Sequence, residues 1–364
     1  MRKQLGFKQS VNSVLIVLLI FTITSSHLLL AQVAEENPLF VSDDLLQLTF
    51  TGNVKAALRD RSAKPAKYTS TLSYQSADKA VVNIPVQLQA RGNFRRNKAN
   101  CRYPPLWLSF NKDSNKTPSI FIQQKKTKLV MPCNNDEDVV KEWLVYKIYN
   151  LFTPMSFKAR LVKISWHATA TEKLQGPYYA ILLEEDKQLA QRNKMVEVKH
   201  HLPSQRTQQL PFLEMSVFEY LIGNTDWSCQ FLHNIKLLAA DSVALPFAVP
   251  YDFDHAGIVS TEYALPAEKL ELSSVKERRY RGHCVTDVKN FEPVIKKFKQ
   301  LKKEIYALYN NCDLLDRRYL KFVNSYLDDF YETLDKPRVW EQAFTYPCNK
   351  EGSGNVIIKG LNNN

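Results

Sequence analysis

Short runs of alternating apolar and polar residues occupy the first part of the chain. Such alternation is typical of half-buried β-strands, and Gly, Asn, Pro and Asp residues separate the runs as turns would. The predicted strands cover residues 46–50, 68–74, 84–90, 106–110, 159–166 and 177–183. One helix is predicted among them. It begins at Asp136, where acidic side chains suit the positive end of the helix dipole, and apolar residues follow at helical spacing to Leu151.

The character of the sequence changes after Glu185. Helical spacing then dominates, over residues 187–192, 210–222, 291–309 and 316–334, and two short apolar strands are predicted at 235–239 and 247–251. We therefore expect an α+β protein with a β-rich part over residues 32–185 and a mostly helical part over 186–348. A small sheet lobe against a larger helical lobe is one arrangement that this order permits, and two unrelated domains are the alternative. Residues 349–364 are polar and rich in Gly and Asn, so we expect disorder there.

The chain begins with the pattern of a secretory signal peptide. Arg2, Lys3 and Lys8 precede an apolar run over residues 14–23, and Ala31 offers a small residue for cleavage. The alternative is a membrane anchor, but the uninterrupted apolar run is shorter than the ~20 residues that a spanning helix needs. We therefore expect residues 1–31 to be removed and the mature protein to be periplasmic or secreted, with no stable membrane span.

Charge and cysteine content narrow the classes of function. The formal net charge is +12, which suits phosphate-bearing or anionic partners. No Arg/Lys block, RNA-type aromatic motif or zinc-finger spacing accompanies this charge, so we do not expect nucleic-acid binding. The six cysteines, an even count in an exported chain, favour disulfides. Proximity in sequence suggests Cys101 with Cys133 and Cys284 with Cys312, although sequence does not determine connectivity.

Three polar segments carry the strongest chemical signal. Asp226 follows a predicted helix, Asn234 precedes a predicted strand, and Asp252 and Asp254 follow the next strand. Phosphoryl transfer from a nucleotide uses such a set, because one carboxylate orients the attacking hydroxyl while an amide oxygen and a second carboxylate hold magnesium against the phosphates. A strand–turn–strand unit would bring Asn234 and Asp252 to the same end of a hairpin, as a shared metal requires.

The arrangement resembles the atypical kinases of the spore-coat protein H (CotH) type and, more distantly, the HipA-type kinases. In these families a G-N-x-D…N segment is the catalytic loop, and an acidic motif after the next strand binds metal. The resemblance implies that Asp226 is the catalytic base and that Asn234 and Asp252 are metal ligands. It makes Asp254 a further ligand, at the position where the D-F-G motif of protein kinases has glycine. Asp226 and Asn234 are further apart here than in the H-R-D-x-x-x-x-N loop of protein kinases, so this loop must bulge.

The resemblance extends into the β-rich part. The segment Ala90-Arg91-Gly92-Asn93 resembles the R-G-N segment of CotH-type proteins, where a loop covers the phosphates, so Arg91 and Asn93 are expected to contact the nucleotide. Lys128 resembles the strand lysine that pairs with the α- and β-phosphates, and Glu142 is expected to hold that lysine. Glu184 is expected to lie at the hinge to the adenine. Together these matches imply a bilobal protein-kinase-like fold, with a β-rich N-lobe, a mostly helical C-lobe, and ATP and Mg²⁺ as cofactors.

Other functions stay open beside this one. A binuclear metal site for hydrolysis could be built from His233, Asp226, Asp252, Asp254 and His255. A catalytically silent module could use the same cleft for binding alone. The cluster of Arg278, Arg279 and Arg281 could grip a phosphate or form an exposed loop. The expected function is an exported protein kinase that transfers the ATP γ-phosphate to a protein hydroxyl with Mg²⁺, although an exported protein meets little ATP.

Overall fold

The computed structural model describes residues 37–111, 114, 118–168, 173–266 and 270–346. The predicted signal peptide over residues 1–31 and the predicted disordered tail over 349–364 lie outside the described residues. From Pro38 onward the chain forms one compact unit. Everything below concerns that unit.

Seven strands close into a barrel in the order β1-β2-β3-β4-β5-β7-β6. The strands are β1 (Leu46–Gly52), β2 (Tyr68–Gln75), β3 (Val81–Ala90), β4 (Leu106–Phe110), β5 (Lys126–Val130), β6 (Ala159–His167) and β7 (Gln175–Leu183). Neighbouring strands are antiparallel, except that β1 runs parallel to β6 and completes the closure, with Leu46 opposite Val162 and Phe50 opposite Trp166.

The barrel is apolar on both faces where β5, β6 and β7 lie side by side. Successive side chains of a strand point to opposite faces. Leu129 and Leu182 accordingly join the core that fills the barrel, whereas Val130 and Leu183 join a second core outside it. The outer core continues through the second half of the chain as far as Phe344. The barrel therefore supplies one wall of the core that the helices share.

Eight α-helices and a small sheet complete the described residues. The helices are α1 (Val54–Arg59), α2 (Glu137–Phe152), α3 (Asp186–Arg192), α4 (Gln209–Ile222), α5 (Glu292–Gln300), α6 (Lys302–Asn310), α7 (Arg317–Asp335) and α8 (Pro337–Ala343). The sheet has the order β10-β9-β8, from β8 (Val196–Val198), β9 (Ile235–Ala239) and β10 (Phe247–Pro250). The single helix predicted over residues 291–309 is two helices, divided at Leu301. Helix α1, strand β8 and helix α8 were not predicted.

The prediction of a bilobal protein-kinase-like fold, with a β-rich N-lobe and a mostly helical C-lobe, is wrong. The β-rich part is a closed mixed barrel, because the parallel pairing of β1 with β6 joins the two ends of the sheet. The remainder carries its own three-stranded sheet as well as helices. Helix α2, which was predicted to belong to the β-rich part, contributes Val140, Leu144 and Ile148 to the core that extends through the second half.

The cysteine predictions are half right. Cys101 and Cys133 form a disulfide, as their proximity suggested, and a disulfide is what an oxidising compartment permits. The pairing of Cys284 with Cys312 is wrong, because Cys312 is a free thiol. Cys284 is disulfide-bonded to a residue outside the described part of the chain. Among the described residues, no helix has both the length and the apolar character needed to cross a membrane.

Candidate functional site

Lys128 lies on β5 and points to the outer face of the barrel. Its neighbours across the strands are Trp107 on β4 and Leu183 on β7. The side chain is almost fully buried, with 4% of the residue exposed. Its ammonium lies 4.3 Å from the centre of the Tyr251 ring and 5.8 Å from that of Phe157. A lysine predicted to meet phosphates is thus held away from bulk water beneath aromatic rings.

The carboxylate beside Lys128 belongs to Asp186 and not to Glu142. Asp186 Oδ1 lies 4.0 Å from Lys128 Nζ, and Asp186 Oδ2 lies 2.8 Å from Nζ of Lys236 on β9. Burial lowers the pKa of Lys128 to about 8, and the positive charge of Arg91 adds to this effect against the opposing charges of Asp186 and Asp252. The predicted pairing of Glu142 with Lys128 is therefore not observed, and Asp186 takes that place.

Three cations, one of which is Lys128, lie near the Trp107 ring. The Arg91 guanidinium lies 4.8 Å from the ring centre, Lys126 Nζ lies 3.7 Å away, and Lys128 Nζ lies 5.9 Å away. Stacking on an aromatic face holds a cation in place while leaving its charge available to an anion. Arg91 is thus near Lys128, as predicted for a phosphate-binding pair. Asn93, two residues further along, is an exposed loop residue.

The loop that carries Asp226 begins at a glycine. Gly223 ends α4 in the left-handed conformation, with φ of +67°, and its N–H bonds to Glu219 and Tyr220 carbonyls. A Cβ at this position would lie 2.1 Å from the hydroxyl oxygen of Tyr326, so a larger residue does not fit. Asn224 then turns the chain by accepting a hydrogen bond from the Asp226 N–H at 3.0 Å. These contacts fix where Asp226 leaves the helix.

The extra residues between Asp226 and Asn234 form a small hairpin. The N–H of Ser228 donates to the carbonyl of His233 at 2.9 Å, and the N–H of His233 returns a bond to Ser228 at 3.0 Å. The chain therefore comes back to Asp226 despite the long spacing. Asn234 Nδ2 donates to the Asp226 carbonyl at 2.7 Å and to Asp226 Oδ2 at 3.1 Å. The predicted bulge exists, and Asp226 and Asn234 remain in direct contact despite it.

Asp226 is arranged to stay ionised. Burial acts to raise its pKa, but the hydrogen bond with His233, whose Nε2 lies 3.0 Å from Asp226 Oδ1, and the charges of His255 and Arg281 bring the pKa below the ordinary value. Burial acts to lower the pKa of His233, and Asp226 outweighs it and raises that pKa. About a third of the Asp226 side chain is exposed, so the carboxylate can still meet a solute.

The basic cluster after the acidic motif supports this loop. Arg281 donates hydrogen bonds to the carbonyls of Thr225 and Trp227, on either side of Asp226. Arg278 stacks on the Tyr326 ring, 3.6 Å from its centre, and donates to the Leu221 carbonyl. Two of the three arginines are thus committed to backbone carbonyls near Asp226, whereas Arg279 is exposed.

The β9–β10 hairpin brings Asn234 next to Asp252. Ile235 is opposite Pro250, and the N–H of Tyr251 donates to the Asn234 carbonyl at 3.0 Å. Both partners of Asn234 Nδ2 are acceptors, so its Oδ1 must face away from Asp226. Asn234 and Asp252 have φ values of +51° and +67°. Such strained backbone in residues other than glycine clusters at functional sites.

Glu142 and Tyr146 lie beneath the acidic segment. They are four residues apart on α2 and therefore lie on one face of the helix. The Tyr146 hydroxyl accepts a hydrogen bond from the Asp252 N–H at 3.0 Å, and the Phe253 N–H acts to lower the pKa of the nearby Glu142 carboxyl. The Tyr146 and Phe253 rings also contact edge to face, with centres 4.8 Å apart. Tyr146 is thus a positioning residue for Asp252, and the carboxylate that pairs with Lys128 is that of Asp186 and not that of Glu142.

Asp254 lies behind Asp252 in a buried ionic network. Asp254 Oδ2 lies 3.7 Å from Arg95 Nη1 and accepts a hydrogen bond from the Tyr263 hydroxyl at 2.8 Å. Burial, followed by the charge of Asp252, raises the pKa of Asp254. Burial, followed by the charges of Asp254 and Asp252, raises the pKa of Glu142 well above its ordinary value. Arg95 is the cation that offsets these acids, and it also donates to the Met131 carbonyl.

Glu184, predicted to lie at the hinge to the adenine, has a carboxylate that bonds to donors of the protein. Its two carboxylate oxygens accept hydrogen bonds from Arg192 Nε and Nη2, both at 3.0 Å. The Lys158 N–H donates to the same carboxylate at 3.1 Å. Arg192 lies on α3 and Lys158 directly precedes β6. The Glu184 side chain therefore joins α3 to that end of the barrel.

The donor groups present limit which of the predicted metal sites the described residues can form. The described residues contain no group of three or more His, Cys, Asp or Glu side chains arranged for a metal ion, so the binuclear hydrolytic site has no ligand set there. A magnesium–nucleotide site needs fewer protein donors, since one or two carboxylates act together with the phosphates. Asp252 and Asn234 carry oxygen donors of this kind and are adjacent across the hairpin, whereas Asp254 is engaged by Arg95 and Tyr263.

Several residues of the site gave little signal in the sequence. Asp186 and Lys236 are single charged residues that belong to no predicted motif, and Tyr251 appeared only as the end of an apolar strand. Tyr146 could have been found, because it follows Glu142 at helical spacing. Neither a scan against protein-family models nor a search of curated proteins finds a match to this chain. The resemblance to CotH-type kinases therefore stays a prediction.

Proposed function

We propose that this protein is a phosphotransferase that moves the γ-phosphoryl group of a nucleoside triphosphate, with ATP as the expected donor, to a hydroxyl on a protein. The observation that carries the proposal is the meeting of Asp226, Asn234 and Asp252. Asn234 bonds to Asp226 through its side chain and stands beside Asp252 across the hairpin. These contacts in the site, and not the fold, support the proposal, because one fold can host many unrelated functions.

Asp226, Arg91 and Lys128 would each have a separate role in the proposed phosphoryl transfer. Asp226, kept ionised by His233 and Arg281, would accept a hydrogen bond from the acceptor hydroxyl and take its proton. The hydroxyl oxygen forms the new bond to the γ-phosphorus as the bond to the β–γ bridging oxygen breaks, and the nucleoside diphosphate leaves. Arg91 and Lys128 would face the phosphates of the donor.

Magnesium fits the Asp252 and Asn234 oxygens. When bound with the nucleotide, Mg²⁺ neutralises the charge that develops on the phosphates. The chain's own contribution is to fix those two residues: Tyr146 holds the backbone of Asp252, and Asp226 holds the Asn234 amide. Preorganised groups of this kind need no rearrangement when charge develops in the transition state.

Export is part of the proposal. The Cys101–Cys133 disulfide fits an oxidising compartment such as the periplasm or the extracellular space. The donor in that compartment would be nucleotide released from cells.

A catalytically silent nucleotide-binding module is the second candidate. The observation that favours it is the position of Glu142, which is not the carboxylate beside Lys128 and whose pKa is raised well above the ordinary value by burial and by the charges of Asp254 and Asp252. Lys128 is left with Asp186 at 4.0 Å. A protein in this state could bind a nucleotide through Lys128 and Arg91 without aligning its γ-phosphate.

Label transfer from [γ-³²P]ATP with Mg²⁺ separates the candidates. We expect incorporation into the protein itself or an added protein acceptor, and its loss in Asp252→Asn, which keeps the shape of the side chain but removes its charge. Asp313→Asn is the matched control, because Asp313 is exposed and far along the chain from the site. Transfer that survives in Asp252→Asn would contradict the proposal. A nucleotide-dependent rise in melting temperature without transfer would favour the silent module.

A further inference from the structure

A cavity of about 870 Å³ opens at one end of the barrel, away from the Lys128 site. Its lining comes from α1, from the loop after β3, and from the ends of β5, β6 and β7, all of which meet at that end. Six of its lining residues are lysine or arginine: Lys55, Arg59, Arg61, Lys98, Arg102 and Lys173. Ligand pockets commonly have volumes of about 300–1,000 Å³, so the space suits a ligand much larger than a single ion.

Helix α1 is amphipathic and carries two of these cations, Lys55 and Arg59, on its polar face. Val54, Ala57 and Leu58 are buried in the core of the barrel. Lys55 and Arg59 are four residues apart and exposed, so they lie together on the outer face of the helix. The apolar face anchors the helix to the barrel, and the charged face lines the cavity.

The Cys101–Cys133 disulfide fixes the opposite wall. Arg102 follows Cys101 directly, and its N–H donates to the Cys133 carbonyl at 3.1 Å. Its guanidinium lies 4.9 Å from the centre of the Tyr103 ring. Asn134, the residue after Cys133, also lines the cavity. Two segments of the wall are thus joined by a covalent bond, which keeps Arg102 in position.

Among the described residues, no carboxylate balances the cations of the cavity. The described lining residues include no Asp or Glu. Within the described residues, no ion pair is formed by Lys55, Arg59, Lys98, Arg102 or Lys173. Arg61 alone is committed, since it donates to the carbonyls of Arg96 and Arg102 at 2.9 and 2.8 Å. Like charges gathered around one cavity repel each other, and a multivalent anion between them relieves that repulsion.

We infer that this cavity binds a ligand carrying two or more phosphate or sulfate groups. The spread of cations over two walls requires more than one anionic group, and the volume leaves room for the scaffold that links them. Tyr103, held under Arg102 and beside Trp166 at 5.5 Å between ring centres, offers a partly exposed aromatic surface to that scaffold. The inference is independent of the proposed phosphotransfer, because none of the residues of that site lines the cavity.

Isothermal titration of the full chain with two defined probes tests the inference. The probes are inorganic tripolyphosphate and a fully sulfated heparin tetrasaccharide. We expect saturable one-to-one binding of at least one probe, and a loss of affinity of about tenfold or more in Lys55→Glu/Arg59→Glu, because charge-assisted contacts are replaced by repulsion. Binding of tripolyphosphate alone identifies a phosphate ligand, and binding of the tetrasaccharide alone identifies a sulfated saccharide.

Arg317→Glu/Lys321→Glu is the matched control. These two residues are also exposed and four apart, on α7, and they do not line the cavity. The control changes the net charge by the same amount, so it should alter affinity less than about twofold if the site is local. Equal losses in the two double variants would mean that only net charge matters and would overturn the inference. Absence of binding to both probes would overturn it as well.

A second variant is needed because the substitutions in α1 could unfold the helix and abolish binding for that reason alone. Arg102→Gln changes an exposed side chain on a different wall and leaves α1 intact. We expect it to weaken binding of the same probe severalfold, with an unchanged melting temperature. An unchanged affinity in Arg102→Gln, together with unfolding of the α1 variant, would count against the inference.

Discussion

Replacing Lys128 with methionine removes a charge that the fold keeps from water. The pKa of Lys128 is lowered from 10.5 to about 8, chiefly by burial. One pH unit of difference corresponds to ~1.4 kcal/mol, so holding Lys128 charged in the folded protein near neutral pH costs about 3 kcal/mol. Methionine has a similar length and no charge. We therefore expect Lys128→Met to be more stable than the wild type near pH 7, by up to about 3 kcal/mol.

The pH dependence gives the sharper form of this prediction. Since the folded pKa lies below the unfolded one, unfolding takes up a proton between about pH 8 and pH 10.5, and the stability of the wild type rises across that window. Lys128→Met has no such group. The stability advantage of the variant should therefore be largest below pH 8 and should disappear as the pH approaches 10.5. Asp186 keeps its contact with Lys236 at 2.8 Å in the variant, which limits the cost of the lost partner.

Urea denaturation followed by far-ultraviolet circular dichroism, repeated from pH 7 to pH 10, measures this difference. Lys125→Met is the control, because Lys125 is exposed and only three residues away. We expect Lys125→Met to follow the wild type at every pH. If Lys128→Met were less stable than the wild type near pH 7, or if its difference did not change with pH, the electrostatic reasoning would be refuted. Loss of label transfer in a more stable variant would separate function from folding.

Three other changes test single contacts. Tyr146→Phe removes the acceptor of the Asp252 N–H and should lower the free energy of unfolding by about 1–3 kcal/mol and reduce label transfer, both measurable on one sample. Gly223→Ala places a Cβ 2.1 Å from the Tyr326 hydroxyl oxygen at a φ of +67°; we expect a loss of at least about 1 kcal/mol by urea denaturation. Cys133→Ser opens a disulfide that spans 32 residues; it should cost about 4 kcal/mol and weaken polyanion binding in the titration.

Local patterns predicted the strands well, and the closure of the barrel poorly. Alternation over residues 46–50 and 159–166 identified β1 and β6 as strands. Their parallel pairing joins residues that are more than a hundred positions apart. The sequence of neither strand indicates which other strand it pairs with. Lys128 was predicted only by resemblance to be a strand lysine, and the burial of β5 on both faces of the barrel became visible only with its neighbours β4 and β7 in place. Strand identity is a local property, whereas sheet closure is not.

The candidate site shows the same division. The proximity of Asn234 to Asp252 follows from two strands joined by a short connection, so the sequence could predict it. The partner of Lys128 could not be predicted in this way. Glu142 and Asp186 are both acidic residues on helices, and only the packing of α2 beneath the acidic segment turns Glu142 toward the Phe253 N–H. The disulfide of Cys101 was found by proximity, and the same rule failed for Cys284, because Cys312 is a free thiol.

The charges buried around Asp252 argue for a function, because they do not favour folding. Glu142 is 2% exposed, and burial together with the charges of Asp254 and Asp252 raises its pKa well above the ordinary value. The pKa of Lys128 is lowered, chiefly by burial. Apolar residues of similar volume often stabilise a core as well as a buried ion pair does. Glu184 with Arg192 is an ion pair of the ordinary structural kind, joined by two hydrogen bonds. Groups with pKa values displaced by burial and specific charges, gathered beside a strained Asp252, have the character of a reactive site.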